Sequence, residues 1–594
     1  MNGNSGGKMK KLLVIMFIFI TIGFSEILKI SVTDESAEIP CANQIENVKV
    51  PQPVIATRDL SYLPGWPKRT SNNAQFSPVR GVALADFDND GKLEIIRPTT
   101  TGQLYIWKYD GTLYPGWPKT LNNGGQEAPA VADVDLDGDY EICVCTRGLT
   151  NGGKVYLFDE NGNNKPGWPF TGPHNGNFGG SPCLADINGD DTLEIIVAER
   201  NYPIGHLYVL RYDGTPFSSV WPCSLNHVPT GTATVADINL DGIKEIVYYS
   251  YSSIYVFQPD GRILAGWPQI NPNGRSFSYQ SAALADVNHD DTLEIVSAMH
   301  QNGGGVYVWQ YNGTLLSGWP YNLSRWTYCP PTVADLYRNN DLKVICGVSG
   351  VVTGSCDALY GFDDNGSVLT GFPFISQGGE AAEGNITVAD IDGNGDMEII
   401  FSSNKMTSAD TLGYLYACHH DGSLVSGWPF RTHGFTYMNG ATVADVDGND
   451  SMDIVAVSAE GSIMEVSIWE AGVPFNRNSW EWPTYHFDMA RTGLYRSSIS
   501  AINETEATTI PANLRISPNP LRSGSDVNLT VVNAGNIRLD LYDITGKLIT
   551  NMFNGYLIAG NHKFNLPLSL TNGIYFIHQT KNGVSFNHKL IIQK

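Results

Sequence analysis

The stretch Ala83–Ile95, ALADFDNDGKLEI, carries the pattern that recurs along most of the chain. It places Asp86, Asp88, Asp90 and Glu94 at positions 1, 3, 5 and 9 of a short loop, with glycine at position 6. A repeat of about 50 residues predicts stacked, similar units. Equivalent loops begin at seven further aspartates, spaced 47 to 55 residues apart: Asp133, Asp186, Asp237, Asp286, Asp335, Asp390 and Asp445.

A second element, an aromatic residue followed by proline, alternates with the acidic loops. Asp-Gly or Asn-Gly pairs accompany it, and they lie between segments in which apolar and polar residues alternate. This combination is the strongest short-range signal for a β-hairpin. In the first copy, strands are expected at Val82–Ala85, Leu93–Arg97, Gln103–Tyr109 and in the segment TLYPGWP that starts at Thr112. The aromatic residues of this element are Trp66, Trp117, Trp168, Trp221, Trp267, Trp319, Phe372, Trp428 and Trp482.

Four short antiparallel strands per unit predict an all-β fold, a β-propeller of seven or eight blades. Eight acidic loops favour eight blades, and seven would result if the end copies shared one blade. We expect a strand from one end of the chain to close the ring and the tryptophans to fill the gaps between blades. The composition agrees, because 62 Gly, 28 Tyr and 13 Trp with 16% charged residues suit a β protein rich in turns.

The acidic loops have the donor atoms of a calcium site. Carboxylates at positions 1, 3, 5 and 9, with a backbone carbonyl at position 7, bring hard oxygens to one point, and Ca²⁺ takes about six to eight such ligands. Arg97 stands where an EF-hand has its last glutamate, and strands flank the loop, so this is not an EF-hand. The candidate metal ligands are Asp86, Asp88, Asp90, Glu94, Asp133, Asp135, Asp137, Glu141, Asp186, Asn188, Asp190, Glu194, Asp237, Asn239, Asp241, Glu245, Asp286, Asn288, Asp290, Glu294, Asp390, Asp392, Asn394, Glu398, Asp445, Asp447, Asn449 and Asp453.

One loop departs from the pattern. In the loop that begins at Asp335, the residues Tyr337, Asn339 and Lys343 take ligand positions, and the lysine supplies a positive charge at position 9. This composition predicts a loop without metal.

Half of the 60 acidic residues of the chain lie in these eight loops. A solvated acidic turn is the alternative interpretation, because Asp, Asn and Gly favour turns in any case. A turn alone does not require acid at position 9, which seven of the eight copies have. Crowded carboxylates repel one another without a cation, so we expect calcium to stabilise the fold.

The formal net charge of −23 excludes some classes of function. Nucleic-acid binding needs clustered Lys and Arg, and so does binding to an anionic membrane surface. Lys8, Lys10 and Lys11 precede the uncharged run Leu12–Phe24, which predicts a signal peptide over residues 1–25 and no transmembrane anchor after its removal. A linker is expected over 26–60.

The nine cysteines are scattered and form no CxxC pair or regular framework. We expect buried free thiols with at most one disulfide. Cys346 and Cys356 are the first pair to test, because they flank one loop.

The acidic loops resemble the FG-GAP/VCBS repeats of integrin-α-type β-propellers over residues 61–495. The resemblance implies calcium in the loop that joins the first two strands of each blade. It applies to Asp86, Asp88, Asp90 and Glu94 and to their equivalents in the other copies. Family loops often end in Asp, where this chain mostly has Glu at position 9.

The C-terminal part differs in composition. Residues 496–511 lack periodicity and are expected to form a linker, and alternating segments over 512–594 predict a small Ig-like β-sandwich. This domain resembles the type A sorting domain of the type IX secretion system, at Pro518-Asn519-Pro520, at Asp543 with Gly546-Lys547, at Gly573-Ile574-Tyr575 and at Lys589-Leu590. The resemblance implies contact with the type IX machinery and a protein that is secreted or held on the outer surface of a Gram-negative bacterium. An ordinary carbohydrate-binding sandwich is the alternative.

Loops opposite the acidic rim are the candidate binding surface, because variable loops on a rigid scaffold commonly carry function. Trp326, Tyr328, Phe435 and Tyr437 are either stacking surfaces for a ligand or packing residues of their own loops. No catalytic motif is recognisable. The isolated His174, His419, His420 and His433 are interpreted as loop histidines, and Trp482–Gly493, with His486, Asp488 and Arg491, as the segment that closes the ring.

The sequence therefore favours a calcium-stabilised propeller, secreted or on the cell surface, that mediates ligand binding or adhesion, with a glycan or a protein as ligand. The alternative is a secreted polysaccharide-active enzyme, such as a pectin or rhamnogalacturonan lyase. A purely structural surface-layer component is a third possibility.

Overall fold

The protein is described by a computed structural model. The described residues are 60–72, 80–125, 127–148, 152–229, 231–270, 276–277, 281–300, 304–323, 325–349, 356–376, 381–404, 413–436, 438–496, 512–515, 526–531, 535–543, 547–557, 560–567, 569–581 and 584–592. The predicted signal peptide, nearly all of the 26–60 linker, the 497–511 part of the second linker, Cys41 and Tyr437 lie outside them.

The described residues form β-strands, one 3₁₀ turn at Arg477–Ser479 and no α-helix. The strands of the first three repeats and the strand before them are β1 (Lys68–Ser71), β2 (Ala83–Ala85), β3 (Glu94–Pro98), β4 (Gln103–Trp107), β5 (Lys119–Thr120), β6 (Ala130–Ala132), β7 (Glu141–Cys145), β8 (Val155–Phe158), β9 (Asn177–Phe178), β10 (Cys183–Ala185), β11 (Glu194–Asn201), β12 (Ile204–Leu210) and β13 (Cys223–Leu225).

The remaining repeats follow the same order. Their strands are β14 (Thr234–Ala236), β15 (Glu245–Tyr249), β16 (Ser253–Phe257), β17 (Gln269–Ile270), β18 (Ala283–Ala285), β19 (Glu294–Ala298), β20 (Gly305–Trp309), β21 (Tyr321–Asn322), β22 (Thr332–Ala334), β23 (Lys343–Gly347), β24 (Cys356–Phe362), β25 (Phe374–Ser376), β26 (Ala381–Ala382), β27 (Thr387–Ala389), β28 (Glu398–Asn404), β29 (Gly413–Cys418), β30 (Phe430–Arg431), β31 (Thr442–Ala444), β32 (Ser451–Glu460), β33 (Ile463–Pro474) and β34 (Trp480–Trp482).

Each repeat folds into one antiparallel sheet in which consecutive strands are neighbours, and we call these sheets blades. Within the described ranges, eight such blades follow one another, one for each acidic loop: β2–β5, β6–β8, β10–β13, β14–β17, β18–β21, β22–β25, β27–β30, and β31–β33 with β1. In blade 2 the fourth position is taken by Phe170, which bridges to Val155. The all-β fold of the prediction is confirmed.

The two ends of the repeat region meet in the last blade. β1 pairs with β33 in antiparallel register, Lys68 opposite Val466, so a strand from before the first repeat completes blade 8. Apolar clusters lie between consecutive blades and also between blade 8 and blade 1, where Leu84 packs with Val446. The predicted closure by an end strand is therefore confirmed, and the core is a closed series of layers between blades.

The tryptophan of the aromatic-proline element fills the gap to the next blade, as predicted. Trp66, for example, is 7% exposed and packs edge-on against Trp107 of blade 1, with ring centroids 6.1 Å apart. Its indole Nε1 donates to the Tyr109 carbonyl at 2.7 Å. Five more tryptophans make the same bond across a gap, at 2.7 to 3.0 Å: Trp117, Trp168, Trp221, Trp267 and Trp319.

The fourth strand was predicted in the wrong place. The segment TLYPGWP contributes only the bridge between Leu113 and Trp107, and β5 begins after Pro118. Gly116 has a φ of 87°, which turns the chain so that Trp117 enters the gap between blades. Pairing resumes only after this turn, because proline itself has no N–H to donate.

Residues 480–495, which we call the hub segment, run along the inner edges of the blades. In most blades the middle residue of the first strand presents its N–H to this segment. Carbonyls of the hub segment accept from Val131, Leu184, Val235, Leu284 and Val443, and Trp482 pairs with Val388. The hub segment thus links blades 2, 3, 4, 5, 7 and 8 to one another. This agrees with its prediction as the segment that closes the ring.

Arg491 anchors the hub segment and is fully buried. Its guanidinium donates to the carbonyls of Val82 at 2.7 Å and of Pro129 at 3.0 Å, in blades 1 and 2. It also donates to the Tyr485 carbonyl within the segment, at 2.8 Å. One side chain therefore satisfies three carbonyls that lie away from water.

The C-terminal residues form two further antiparallel sheets around one apolar core that includes Leu539, Leu541 and Ile577. The strands are β35 (Ala512–Arg515), β36 (Asp526–Val531), β37 (Gly535–Asp543), β38 (Leu548–Leu557), β39 (Gly560–Asn565), β40 (Gly573–Lys581) and β41 (Val584–Ile592). Among the described residues, no helix is long and apolar enough to span a bilayer.

The eight described cysteines are free thiols, seven of them buried. Cys346 and Cys356 are therefore not joined. The Sγ atom of Cys356 instead accepts a hydrogen bond from the Arg325 guanidinium.

Replacing Arg491 should destabilise the ring. An Arg491→Met variant leaves three buried carbonyls without their donor, at about 1–3 kcal/mol each, so the free energy of unfolding should fall by at least about 3 kcal/mol. Arg262→Met is the matched control, because Arg262 is exposed and pairs only with Asp260. Denaturant unfolding followed by tryptophan fluorescence measures both. Equal stability of the two variants would contradict the role assigned to the hub segment.

Candidate metal centres

The side-chain carboxylate of the aspartate at position 1 closes each acidic loop by accepting backbone N–H groups from later positions of the loop. Asp86 accepts the N–H groups of Asp90 at 3.0 Å and Gly91 at 2.9 Å. The bond to the N–H at position 6 is present in all eight described loops. Position 6 has a φ of 62° to 98° in every copy, which explains why it is Gly, Asp or Asn.

The carboxylate at position 9 is buried beneath the loop. Glu94 is 0% exposed, and its Oε2 accepts the backbone N–H of Phe87 at 2.9 Å. The same bond, from position 9 to the N–H at position 2, occurs at 2.8 to 3.2 Å in the other six loops that carry acid there. One oxygen of this group is thus used within the protein, and in loops 1, 4 and 8 the other oxygen has no hydrogen-bond partner.

Burial makes the charged form of these groups costly. It raises the pKa of Glu94, Glu141, Glu194 and Glu245 to about 7 from a usual value near 4.5, and that of Asp453 to about 7 from near 3.8. The pKa of Glu294 and Glu398 rises to about 8 for the same reason. In six of these loops the aspartate at position 1, together with one at position 3 or 5, raises the pKa further by repulsion. A cation placed among them would reverse this effect.

Several carboxylate oxygens in the loops are buried and have no hydrogen-bond partner. They are Glu94 Oε1, Asp133 Oδ1, Asp135 Oδ1, Glu245 Oε1, Asp447 Oδ1 and Asp453 Oδ1. Buried polar atoms are nearly always paired, so oxygens of this kind fit a hard cation as the missing partner. The donor set and the geometry of the loops therefore fit a divalent ion.

Four loops bring at least three ligand atoms within 4.8 Å of one another. Three of these groups are made only of predicted residues, and the fourth adds His419 to Asp392 and Glu398. The groups made only of predicted residues are Asp86, Asp88 and Asp90; Asp133, Asp135 and Glu141; and Asp445, Asp447 and Asp453.

In loops 3 to 5 an asparagine stands at position 3. Its Nδ2 donates to the carboxylate at position 5, as in the bond from Asn188 to Asp190 at 2.9 Å. Asn239 and Asn288 make the same bond. These three loops hold the ligand positions together through the amide rather than through a third carboxylate.

Loop 2 contains an ammonium group among its carboxylates. Lys165 Nζ lies 2.9 Å from Asp135 Oδ2, 3.3 Å from Asp137 Oδ2 and 2.9 Å from Glu141 Oε1. Its side chain is 13% exposed. The lysine comes from a segment 24 residues after Glu141, which is why the local loop pattern did not reveal it. In this loop a divalent ion and Lys165 would compete for the same oxygens.

Loop 6, predicted to lack metal, contains a salt bridge. Lys343 Nζ lies 2.6 Å from Asp341 Oδ2 and 2.6 Å from Asp363 Oδ1. Asp335 still accepts the N–H groups at positions 5 and 6, so the loop keeps its shape. The loop conformation therefore depends on position 1 and not on the charge at position 9.

The residue that follows the third strand of a blade also faces its acidic loop, and the sequence analysis missed it. Lys108 Nζ contacts Asp88 Oδ2 at 2.6 Å, and His419 Nδ1 contacts Glu398 Oε1 at 3.1 Å. In blade 8 the equivalent Glu470 lies directly opposite Asp453 in the sheet. The spacing between the acidic loop and the Asp-Gly turn fixes the register of the second and third strands. From this register the residues opposite position 9 could have been predicted.

Comparison with known families agrees with this architecture. Residues 86–144, 133–197 and 186–248 match the FG-GAP-like repeat, and residues 515–593 match the secretion system C-terminal sorting domain. The chain contains FG-GAP-like repeats and ends in a type IX sorting domain. The sorting domain indicates a secreted or cell-surface protein of a Gram-negative bacterium and an interaction with the type IX secretion machinery.

Two solved structures similar to this FG-GAP-like chain come from other bacteria. The biofilm matrix protein Bap1 of V. cholerae is 14% identical, with a TM-score of 0.48 over 74% of this chain and 96% of that one. The C-terminal domain of Pseudomonas aeruginosa PilY1 is 10% identical, with a TM-score of 0.36 over 63% of this chain and 92% of that one. No curated protein matches the chain.

Removing the lysine of loop 2 should strengthen divalent-cation binding there. In a Lys165→Met variant the three carboxylates lose their competing ammonium, so calorimetric titration of metal-free protein should show calcium binding to this loop at least about tenfold tighter, or about 1.4 kcal/mol. Lys343→Met is the control, because loop 6 has no acid at positions 3, 5 and 9. The competition would be disproved by identical calcium isotherms for wild type and Lys165→Met.

Proposed function

We propose that this protein is a secreted, calcium-stabilised binding propeller that captures a glycan on the face opposite its acidic loops. The observation that carries the proposal is a stack of three half-buried aromatic rings, Trp326, His300 and Tyr328, held at the ends of the strands that point away from those loops. Calcium supports the scaffold, and the aromatic residues supply the binding surface.

The calcium part rests on the buried carboxylate at position 9 and on the unpartnered oxygens beside it. Positions 1, 3, 5 and 9 of loops 1, 3, 4, 5, 7 and 8 are the proposed ligands, together with a position 7 carbonyl. In loop 2 the ligands Asp133, Asp135, Asp137 and Glu141 bind the ion only when Lys165 moves away. When bound, calcium neutralises charges that otherwise repel one another in the loop.

The topology separates the two faces. Within a blade the acidic loop joins the first and second strands, and the Asp-Gly turn follows the third strand on the same side. His300 lies between the second and third strands of blade 5, β19 and β20, and Trp326 and Tyr328 lie between blades 5 and 6. In an antiparallel sheet these connections emerge at the end opposite the acidic loops.

The aromatic stack has fixed geometry. The His300 ring lies 5.4 Å from the Trp326 ring and 4.5 Å from the Tyr328 ring, with interplanar angles of 19° and 28°. Ser349, which is fully buried, donates its N–H to the Trp326 carbonyl and accepts the Tyr328 N–H. Arg80 donates to the Tyr328 carbonyl at 3.1 Å. A rigid aromatic surface binds a sugar ring at low entropic cost.

A second aromatic group lies on the same face, at the junction of blades 3 and 4. His227 stacks on Tyr251 at 4.9 Å, and Tyr202, which is 66% exposed, approaches the edge of the His227 ring at 6.3 Å. Two separated aromatic groups fit an extended ligand such as a polysaccharide better than a single small molecule. Phe435, by contrast, is 2% exposed and pairs with Ala459, so it packs its own loop.

Truncating the aromatic stack should weaken glycan binding. Trp326→Ala and Tyr328→Ala each remove one stacking ring, worth about 0.5–1.5 kcal/mol, so affinity for a glycan selected on an array should fall about two- to tenfold. Tyr337→Ala is the matched control, since Tyr337 is 38% exposed but belongs to acidic loop 6. Loss of binding in the control, or no loss in the two variants, would refute this surface. Turnover of uronic-acid polysaccharides by the wild-type protein would replace the binding function with that of a lyase.

Removing calcium should destabilise the propeller, and more so at higher pH. The position 9 groups have a pKa of about 7 to 8 when folded, against about 4 when unfolded, so their ionisation between pH 5 and 8 opposes folding unless a cation is bound. A chelator should lower the melting temperature by several degrees at pH 8 and by less at pH 5, because ligand binding to the native state adds stability. Calorimetry on protein whose metal content is verified measures this. A chelated sample that melts with the untreated one at pH 8 would rule out the calcium proposal.

A further inference from the structure

Two histidines and a glutamate meet on blade 3, away from the acidic loops. Glu199 on β11 lies directly opposite His206 on β12 in the antiparallel register. His174, from the connection between blades 2 and 3, stacks on His206 with ring centroids 3.9 Å apart and planes within 8°. Ligand atoms of the three side chains lie within 4.8 Å of one another.

The carboxylate of this group is held in a fixed position. Glu199 is fully buried, and its Oε2 lies 3.0 Å from His174 Nδ1 and accepts the Tyr208 hydroxyl at 2.8 Å. Its Oε1 accepts the Gly176 N–H at 2.7 Å. A Cβ atom on Gly172 would lie 2.4 Å from the Glu199 carboxyl carbon, so the connection passes close to the carboxylate. Outer hydrogen bonds of this kind orient the ligands of protein metal sites.

His206 provides the second, independent observation. It is 7% exposed, and its Nδ1 is buried without a hydrogen-bond partner. Buried polar atoms are nearly always paired, so this nitrogen calls for a ligand. This nitrogen belongs to the ring on which His174 stacks.

The geometry points to a binding site for one transition-metal dication of the zinc class, with His174, His206 and Glu199 as ligands. Two imidazoles and one carboxylate are the donors that such ions prefer, whereas the acidic loops offer only hard oxygens. His174 has a side chain that is 35% exposed, so it can rotate from its stack to complete the site and leave a fourth position open to solvent. The ion would tie the connection between blades 2 and 3 to the sheet of blade 3.

The site lies on the face that carries the aromatic groups. β11 and β12 meet there, at the end of blade 3 opposite acidic loop 3, and Tyr202 lies in the same turn between them. The metal site does not depend on glycan binding, and it is tested separately from it.

The test is a Co²⁺ titration of the full-length protein, free of any histidine tag, with excess calcium to fill the hard-oxygen sites. Cobalt bound to two imidazoles and a carboxylate gives visible ligand-field absorption, and competition with Zn²⁺ gives the zinc affinity. We expect one such cobalt ion per chain. His174→Gln and His206→Gln should weaken zinc binding at least about hundredfold, and Tyr208→Phe, which removes only an outer hydrogen bond, about ten- to hundredfold.

His433→Gln is the matched control. His433 lies 3.2 Å from Glu460 and 3.9 Å from Glu465, so it forms a histidine-carboxylate group without the second imidazole of blade 3. Its replacement should leave the cobalt spectrum unchanged. His174→Gln should keep the melting temperature of calcium-loaded protein, because His174 is exposed, and this separates loss of metal from loss of fold. Absence of the absorption in wild type, or its persistence in both histidine variants, would overturn the site.

Discussion

The ring depends on one constraint: the inner edge of every blade presents backbone N–H groups that need acceptors away from water. The hub segment meets this need with carbonyls that face several blades in turn. A single chain that faces blades on all sides must bend sharply, and the backbone is left-handed at His486, Phe487 and Arg491, with φ of 58°, 70° and 65°. Because the hub segment follows the last repeat, the ring is completed by chain from beyond the repeats as well as by β1 from before them.

The acidic loops obey a second constraint, which is local. The aspartate at position 1 and the left-handed residue at position 6 fix the loop even where Lys343 replaces the acid. Position 9 then lies beneath the loop, where its neighbours are the N–H at position 2 and the side chains after the third strand. The conformation of the loop and the charge beneath it are thus determined separately. The conformation is encoded within the first six residues of the loop. The balance of charge depends on which side chain reaches position 9.

Features that are encoded within one repeat could be predicted from the sequence, and features that depend on contacts between distant segments could not. The acidic loops, the first three strands and the gap-filling tryptophans follow from patterns within one repeat, and the structure has them where the patterns indicate. The position of β5 was missed because the turn at Gly116 delays pairing, a consequence of packing against the next blade. Lys165 and the group formed by His174, Glu199 and His206 were missed because their members lie 7 to 32 residues apart and meet only through sheet register.

The same distinction assigns different roles to the two faces. The acidic face repeats one motif in every blade, so its loops have the same role throughout. That role is to stabilise the hairpin formed by the first two strands of each blade. Seven dications there would change the formal charge from −23 to −9 and remove much of the repulsion within the ring. Among the described residues of the opposite face, the aromatic groups differ from one junction to another: Trp326 and His300 serve one junction, and Tyr251 and His227 another. Specific recognition needs such differences, so the proposed ligand-binding surface lies on the face where the repeat is broken.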